Sequence, residues 1–534
     1  MEERTELIPD DKNPSESENR RGIRRRDLLK GLATLPVLGF FGFEFWRKLV
    51  HDRRKKRELF SQLNVAGDAP AMLPAATNAA GDLIRLGVVG FGARGEDLAK
   101  SLGFAHPDWI QRNRDETRLQ DWLAQEDLNV QIVGICDVFD LRAERATAAV
   151  TNTIRPSGAG SFAAPKRFRT FAEMAASPEI DAIIITTPDF HHAWMTIAAV
   201  NEAKHVYCEK CMSRTEDEVN KVEAAVKAAQ KNRGVVFQLG HQNSQSAAYA
   251  KAYEVLSKGV LGKITLVEVN TNRNSPDGAW VRHLDANGNP RPGNPDSLDW
   301  REWLGPAPEV PFDMERYYNW TKYWDYATGL SGQLLCHEFD SVNGLLGLGI
   351  PKACVASGGI YYYKDGREIP DVFHAAFEFP NHDLTVLYSA TLASDKPRAR
   401  VFMGHDGWME MDNSLSVYAD QNSTKYKQLI DENVVHPERP MLSFQPGLGR
   451  FDAITSASQQ YYASRGLMYT YQGNRRVDLA YLHLREWLAA IRDGGPVSCP
   501  IARGIEVTMA CHMATKSYRE QRRVEWDPIS RKIV

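Results

Sequence analysis

Three short stretches hold the side chains best suited to chemistry. Glu209 and Lys210 follow the apolar run Lys204–Cys208, Thr187 and Pro188 stand at the end of Ile180–Thr186, and Gln333, His337 and Asp340 recur at i, i+4 and i+7 within Ser331–Gly349. An amine held partly out of water loses some of its grip on its proton and can take one from a hydroxyl group, so Lys210 reads as a general base. An ion pair with the adjoining Glu209 is its plainer role. At 3.6 residues per turn, Gln333, His337 and Asp340 share one helix face, which would point at a substrate. A histidine on such an apolar helix is also often a satisfied core group. Cys208 and Cys211 have a C-x-x-C spacing, which alone suggests a redox pair or half a zinc site, but no second pair stands nearby. His241, His337 and Asp340 could hold a metal, although nothing in their spacing demands one, and none is expected.

The strands that would position these groups start with Ile84–Val89, an apolar run that breaks into Gly90–Phe91–Gly92–Ala93–Arg94–Gly95. Short and rich in branched residues, it reads as a strand of a parallel sheet buried on both faces. Gly90 permits the tight bend, Gly92 lets bare backbone approach a diphosphate, and Gly95 lets the next helix lie close. Ala93 and Arg94 open that helix, with free amide hydrogens aimed at the phosphates. A second run, Val130–Cys136, stops at Asp137, whose carboxylate can take both ribose hydroxyls of NAD. A helix cap before Leu141–Ala149 is a compatible reading of the same residue. Such an acid ordinarily follows about 20 residues after the glycines, and the excess here is assigned to an inserted charged segment, Pro107–Asn129. The cofactor expected is NAD rather than NADP. Helix and strand then alternate, which predicts a doubly wound Rossmann sheet with its ligand at the carboxyl ends of the strands.

On these motifs the chain resembles the Gfo/Idh/MocA family of sugar and cyclitol oxidoreductases. Thr187–Pro188–Asp189–Phe190–His191–His192–Ala193 is similar to that family's Thr-Pro and His-Ala segment, and Lys204–His205–Val206–Tyr207–Cys208–Glu209–Lys210 to its Gly-Lys-His-Val and Glu-Lys-Pro segment. Asn201–Glu202–Ala203 replaces the usual Ala-Gly, and Cys211 stands where proline is usual. The similarity continues through Gly259–Ile264, Leu298–Pro306, Trp324–Tyr326 and a final helix around Cys511–His512, from roughly Leu83 to Trp526. The resemblance implies a catalytic Lys210, His337 at the position of the family's helix histidine, and cofactor contacts from Thr187, Pro188, His192 and Glu209. It also implies a homo-oligomer formed on an open sheet face. The family's aspartate four residues before the histidine is Gln333 here. Glutamine can hydrogen-bond a substrate hydroxyl but brings no charge, which leaves Lys210 and His337 to share the proton work.

At 534 residues the chain exceeds the size of a single core. The division expected is 1–82 as export signal or membrane anchor with linker, 83–240 as the NAD(P)-binding domain, and 241–534 as an α+β domain for substrate and oligomerisation. From Lys263 the pattern turns to period two, over Ile264–Thr271, Ala353–Tyr362, Val372–Phe379 and Leu384–Ala390, which predicts a largely antiparallel, open-faced sheet. Aromatic residues crowd between Tyr317 and Tyr326, where they suit the apolar faces of a sugar as well as plain core packing. A net charge of −3, with no long single-sign block beyond the N-terminal region, gives no sign of nucleic-acid binding. Seven cysteines without paired spacing do not form a disulfide framework.

Arg24–Arg25–Arg26–Asp27–Leu28–Leu29–Lys30 before the apolar Gly31–Phe43 resembles a twin-arginine export signal, which predicts a periplasmic or envelope protein. The nearest cleavage candidate, Ala69–Pro70–Ala71, lies far downstream, so an uncleaved anchor is equally expected. The alternative is a basic arm, residues 24–57, lying on the cytoplasmic membrane surface. Val65–Asp82 reads as a linker. Together these readings predict an NAD(P)-dependent oxidoreductase acting on a sugar or cyclitol secondary alcohol. A glycoside hydrolase that retains NAD for transient oxidation, and a sugar-binding relative without turnover, are the alternatives.

Overall fold

Branched apolar runs build a first sheet of six strands: β1 (Ile84–Val89), β2 (Val130–Cys136), β3 (Lys166–Phe168), β4 (Ala182–Ile185), β5 (His205–Cys208) and β6 (Phe237–Leu239). The computed structural model describes residues 25–65, 81–114, 116–156, 160, 162–282, 293–447, 463, 465, 467–472 and 475–534, with backbone alone for 25–42. All pairings in this sheet are parallel, in the order β3-β2-β1-β4-β5-β6. The order reverses between β1 and β4, and that reversal opens a crevice at the carboxyl ends. The charged segment forms two short helices, Pro107–Arg112 and Thr117–Leu123, between the helix Ala93–Ser101 and β2. Ile110, Leu119 and Trp122 give it a small core of its own. Asp137 is therefore distant from the glycines in sequence while adjacent in space.

The core around β1, β2, β4 and β5, with Leu86, Ile132, Ile184 and Tyr207 at its centre, also takes Leu484, Trp487 and Leu488 from the helix Leu479–Asp493. Burying each such large side chain contributes about 1.5–3 kcal/mol. The helix is fixed at both ends. Asp478 accepts hydrogen bonds from the amides of Ala480 and Tyr481, and Gly494 closes it in the left-handed conformation.

The period-two runs form a second sheet: β7 (Ile264–Asn272), β8 (Ala353–Gly359), β9 (Val372–Phe379), β10 (Leu384–Thr391), β11 (Arg400–Gly404), β12 (Gly407–Met411), β13 (Leu415–Ala419) and β14 (Leu442–Phe444). A separate hairpin pairs β15 (Tyr469–Gln472) with β16 (Arg475–Asp478), and β17 (Val524–Asp527) and β18 (Lys532–Ile533) complete the larger sheet. Its order is β14-β13-β12-β11-β7-β10-β9-β8-β17-β18, antiparallel except for β7 against β10. The strand predicted over Ala353–Tyr362 ends earlier, at Gly359. The amides of Tyr361, Tyr362 and Tyr363 turn out of the ladder to donate to the buried carboxylate of Asp371, each at 2.8 Å.

Arg25–Leu63 is one helix of 39 residues with Phe43, Phe45 and Trp46 exposed. Among the described residues no helix is long and apolar enough to cross a membrane. Arg24, the cleavage candidate Ala69–Pro70–Ala71 and most of the expected linker lie outside the described residues.

Candidate active site

The carboxyl ends of β1, β2, β4 and β5, with segments of the second half of the chain facing them, enclose a cleft of about 730 Å³. Gly90 turns out of β1 with φ of +80° and donates its amide to Cys136 at 2.9 Å. A Cβ on Gly95 would collide with the Gly90 carbonyl oxygen and the Thr186 hydroxyl, so only glycine lets Ala93–Ser101 start here. Asp137 holds the turn from the other side. Its two carboxylate oxygens accept the Phe91 amide at 2.6 Å and the Phe139 amide at 2.9 Å. The helix-cap reading of Asp137 needs correction, because the helix runs from Asp140 to Thr151 with Phe139 at its cap position and no side-chain cap. Asp137 lines the cleft, and each oxygen keeps capacity for another donor, such as a ribose hydroxyl. Burial pushes its pKa up against the opposing pull of Arg142 and the two amides.

Gly90, Gly92, Ala93, Arg94, Thr187, Pro188 and Glu209 also line the cleft. The Arg94 side chain crosses the crevice to Glu209 at 2.7 Å, and reaches Asp97 at 2.9 Å and the Gln242 side-chain oxygen at 3.2 Å. Glu209 is thus engaged by Arg94, which the reading of Glu209 and Lys210 as a local pair did not foresee. His192 does not line the cleft. Its ring nitrogens lie 2.8 Å from the Thr187 carbonyl oxygen and 2.6 Å from that of Cys211, so it ties the ends of β4 and β5 together from behind. A glycine turn with open backbone, an acid at the tip of β2 and a cleft of this volume fit a nicotinamide dinucleotide.

At the far end the cleft is lined by Lys210, Gln333, His337 and Asp189. The Lys210 amine donates to the backbone oxygen of Gln333 at 3.2 Å and to its side-chain oxygen at 3.3 Å. The Gln333 amide nitrogen donates to Asp189 at 2.6 Å. The predicted helix Ser331–Gly349 begins with a wider π turn, Ser331–Leu335, then runs as α-helix over Cys336–Leu346. Burial holds the His337 ring well below the usual histidine range, and the nearby Lys210 adds to this, so the imidazole is neutral at neutral pH. Asp340 does not share the cleft-facing role expected of it. It lies one turn further into the protein, fully buried, where Arg503 pairs with it at 2.6 Å. His241 packs edge-on against His337 at 5.6 Å between ring centres, and among the described residues no group of histidine, cysteine or acidic side chains is placed to hold a metal. Cys208 and Cys211 are buried free thiols whose pKa values burial raises, and the Lys210–Cys211 peptide is cis.

Several cleft residues were not singled out from the sequence. Asp189 stands directly after Thr187–Pro188 at a strand tip, and that position was its signal. Arg142, Gln242, Trp280 and Arg282 also line the cleft, the last two from an irregular segment that no periodicity marks. Tyr317 and Tyr318 line it as well, and they belong to the same buried ring cluster as Tyr326, Phe139, Phe190 and Trp303, so the aromatic segment is core that also forms part of the cleft wall.

The family model described as "Oxidoreductase family, NAD-binding Rossmann fold" matches residues 84–241. Two models of the family's C-terminal alpha/beta domain match 250–351 and 309–526. The chain is 28% identical over 190 residues to levoglucosan dehydrogenase of Pseudarthrobacter phenanthrenivorans, a match over 34% of this chain and 40% of that protein. It is 26% identical over 145 residues to inositol 2-dehydrogenase of Salmonella typhimurium, covering 27% of this chain and 39% of the relative. The match therefore spans about two fifths of the length of these curated relatives. The solved structure of levoglucosan dehydrogenase in complex with NADH and levoglucosan shares the fold, with a TM-score of 0.55, 16% identity, 83% of this chain covered and 99% of the other. With both halves of the chain matched by its models, the protein belongs to the Gfo/Idh/MocA oxidoreductase family.

Proposed function

We propose that this protein oxidises a secondary alcohol of a sugar or cyclitol, with NAD as the preferred dinucleotide. The observation that carries this reading is the meeting, in one cleft, of the glycine turn and Asp137 with Lys210, Gln333 and His337. The sugar and cyclitol dehydrogenases among the relatives support the substrate class. Asp137 at the ribose position supports NAD over NADP. The bound dinucleotide would supply the hydride acceptor. Lys210 in its amine form takes the hydroxyl proton, oriented by the two hydrogen bonds it gives to Gln333. His337, neutral and buried, can hold the same hydroxyl by a hydrogen bond, and its weakened hold on a proton leaves the base role to Lys210.

The exposed rings of Phe43, Phe45 and Trp46 beside the basic stretch Arg47–Arg57 support contact of the N-terminal helix with a membrane surface, in keeping with an envelope location. Exposed Val355 and Leu387 on the second sheet support a second copy against that face. Mass spectrometry of the purified protein for retained dinucleotide, followed by NADH absorbance with NAD and NADP across a panel of sugars and cyclitols, tests the reading. Cleavage of nitrophenyl glycosides without NADH formation would replace it with the hydrolytic cycle. Unchanged properties after Lys210→Met would leave only a binding role.

A further inference from the structure

Gln333 brings no charge to the reaction centre, yet both ends of its amide are held by charged groups. Its oxygen accepts from the Lys210 amine at 3.3 Å and its nitrogen donates to Asp189 at 2.6 Å. An amide turned over would set its nitrogen against the amine and its oxygen against the carboxylate, so the two partners fix one orientation. The same Asp189 oxygen also accepts the Thr328 amide at 3.1 Å and the Thr328 hydroxyl at 2.6 Å. Three donors on one buried oxygen are the setting of an ionised carboxylate. Asp189 is also the first residue of the helix Asp189–Asn201, where the helix dipole favours negative charge.

We infer that Asp189, brought in from the first sheet, is the carboxylate that positions this centre, acting on Lys210 through the amide of Gln333. The inference rests on the oxidoreductase reading above and adds to it a positioning residue. Around the Lys210 amine lie Cys211 on its own segment, Cys336 and His337 on the facing helix, Cys511 on the helix Ile501–Glu520, and His241 after β6. Burial raises the three thiols and lowers the two imidazoles, so all five are neutral near pH 7. Glu209 is engaged by Arg94. Asp340 is paired with Arg503, and Asp189 reaches the amine through the side-chain amide of Gln333.

The test titrates Lys210 itself, by trace labelling with acetic anhydride at a series of pH values and mass spectrometry of the labelled peptide, in the full-length protein with its cofactor. In Asp189→Asn the labelling midpoint is expected to fall by about one pH unit, and in Gln333→Asp, which sets a carboxylate beside the amine, to rise by a similar amount. The double variant returns to near the wild-type midpoint and recovers most of the roughly tenfold turnover lost in Asp189→Asn, because the charge has been moved rather than removed. Thr328→Ala loosens Asp189 without changing its charge and leaves the midpoint in place. Should Asp189→Asn not fold, Gln333→Met, which cuts the link and keeps the carboxylate, is expected to lower the midpoint likewise. A midpoint unmoved in folded Asp189→Asn, or in Gln333→Met, overturns the inference. Labelling needs no substrate, so failure to form NADH with any sugar counts against the oxidoreductase reading alone.

Discussion

At the glycine turn the polar groups are held by main chain. Asp137 is fixed by two backbone amides, and Gly90 by a strand carbonyl. At the opposite end of the same cleft, side chains from three separate segments meet, Lys210 on Gln333 and Gln333 on Asp189, with one further bond from Lys210 to the Gln333 main-chain oxygen. The first kind of site is a property of one βαβ unit, whereas the second exists only when distant segments have been brought together. Binding and proton transfer should therefore fail separately when each end is damaged.

The largest effect is expected at the side-chain end. Lys210→Met should lower turnover by about 10²–10⁴-fold, the usual worth of a positioned acid or base. Dinucleotide binding, followed by quenching of tryptophan fluorescence, should stay within a few-fold of wild type. A parallel loss of binding would show that the two ends are not separable. At the main-chain end, Gly95→Val forces a side chain into the Gly90 carbonyl and the Thr186 hydroxyl. Overpacking of about 1–3 kcal/mol should weaken dinucleotide affinity roughly tenfold or more, measured by calorimetric titration.

Asp137→Ala is expected to have a smaller and more mixed effect. It strands the buried amides of Phe91 and Phe139, at a cost of about 1–3 kcal/mol, so both thermal stability and NAD affinity should fall. Turnover at saturating cofactor should change little.

The smallest effect per group concerns pH. Burial holds His337 well below its usual range, His512 at about 4 and His191 at about 3. Each ring is neutral when folded and gains a proton below about pH 6.5 once unfolded. The stability it contributes is complete above about 6.5 and is lost as pH falls toward the folded value, at about 1.4 kcal/mol per pH unit for each ring. Denaturant midpoints between pH 7 and 5 should fall with acid, and less steeply in His512→Gln. An equal slope in that variant would mean that His512 is not among the rings responsible.

The same contrast explains what could be read in advance. β2 and the glycine turn were legible because a local apolar run and a local bend carry their own physics. Lys210, just past the tip of β5, and His337, on a helix, were named from local pattern, and both line the cleft. The company they keep was not legible, because Asp189 and Gln333 are 144 residues apart and no local pattern records their meeting. His192 was misplaced because its neighbours point at the cleft while its own ring turns back to two carbonyls. Asp340 was misplaced because helical spacing gives a face but not the depth at which a partner such as Arg503 waits.

The helix Leu479–Asp493 sets a schedule for synthesis. Until the ribosome has delivered Leu484, Trp487 and Leu488, the nascent sheet carries a bare apolar flank around Leu86 and Tyr207. The core beneath the glycine turn is therefore closed by a helix that follows most of the second sheet in the chain, however local the turn itself is.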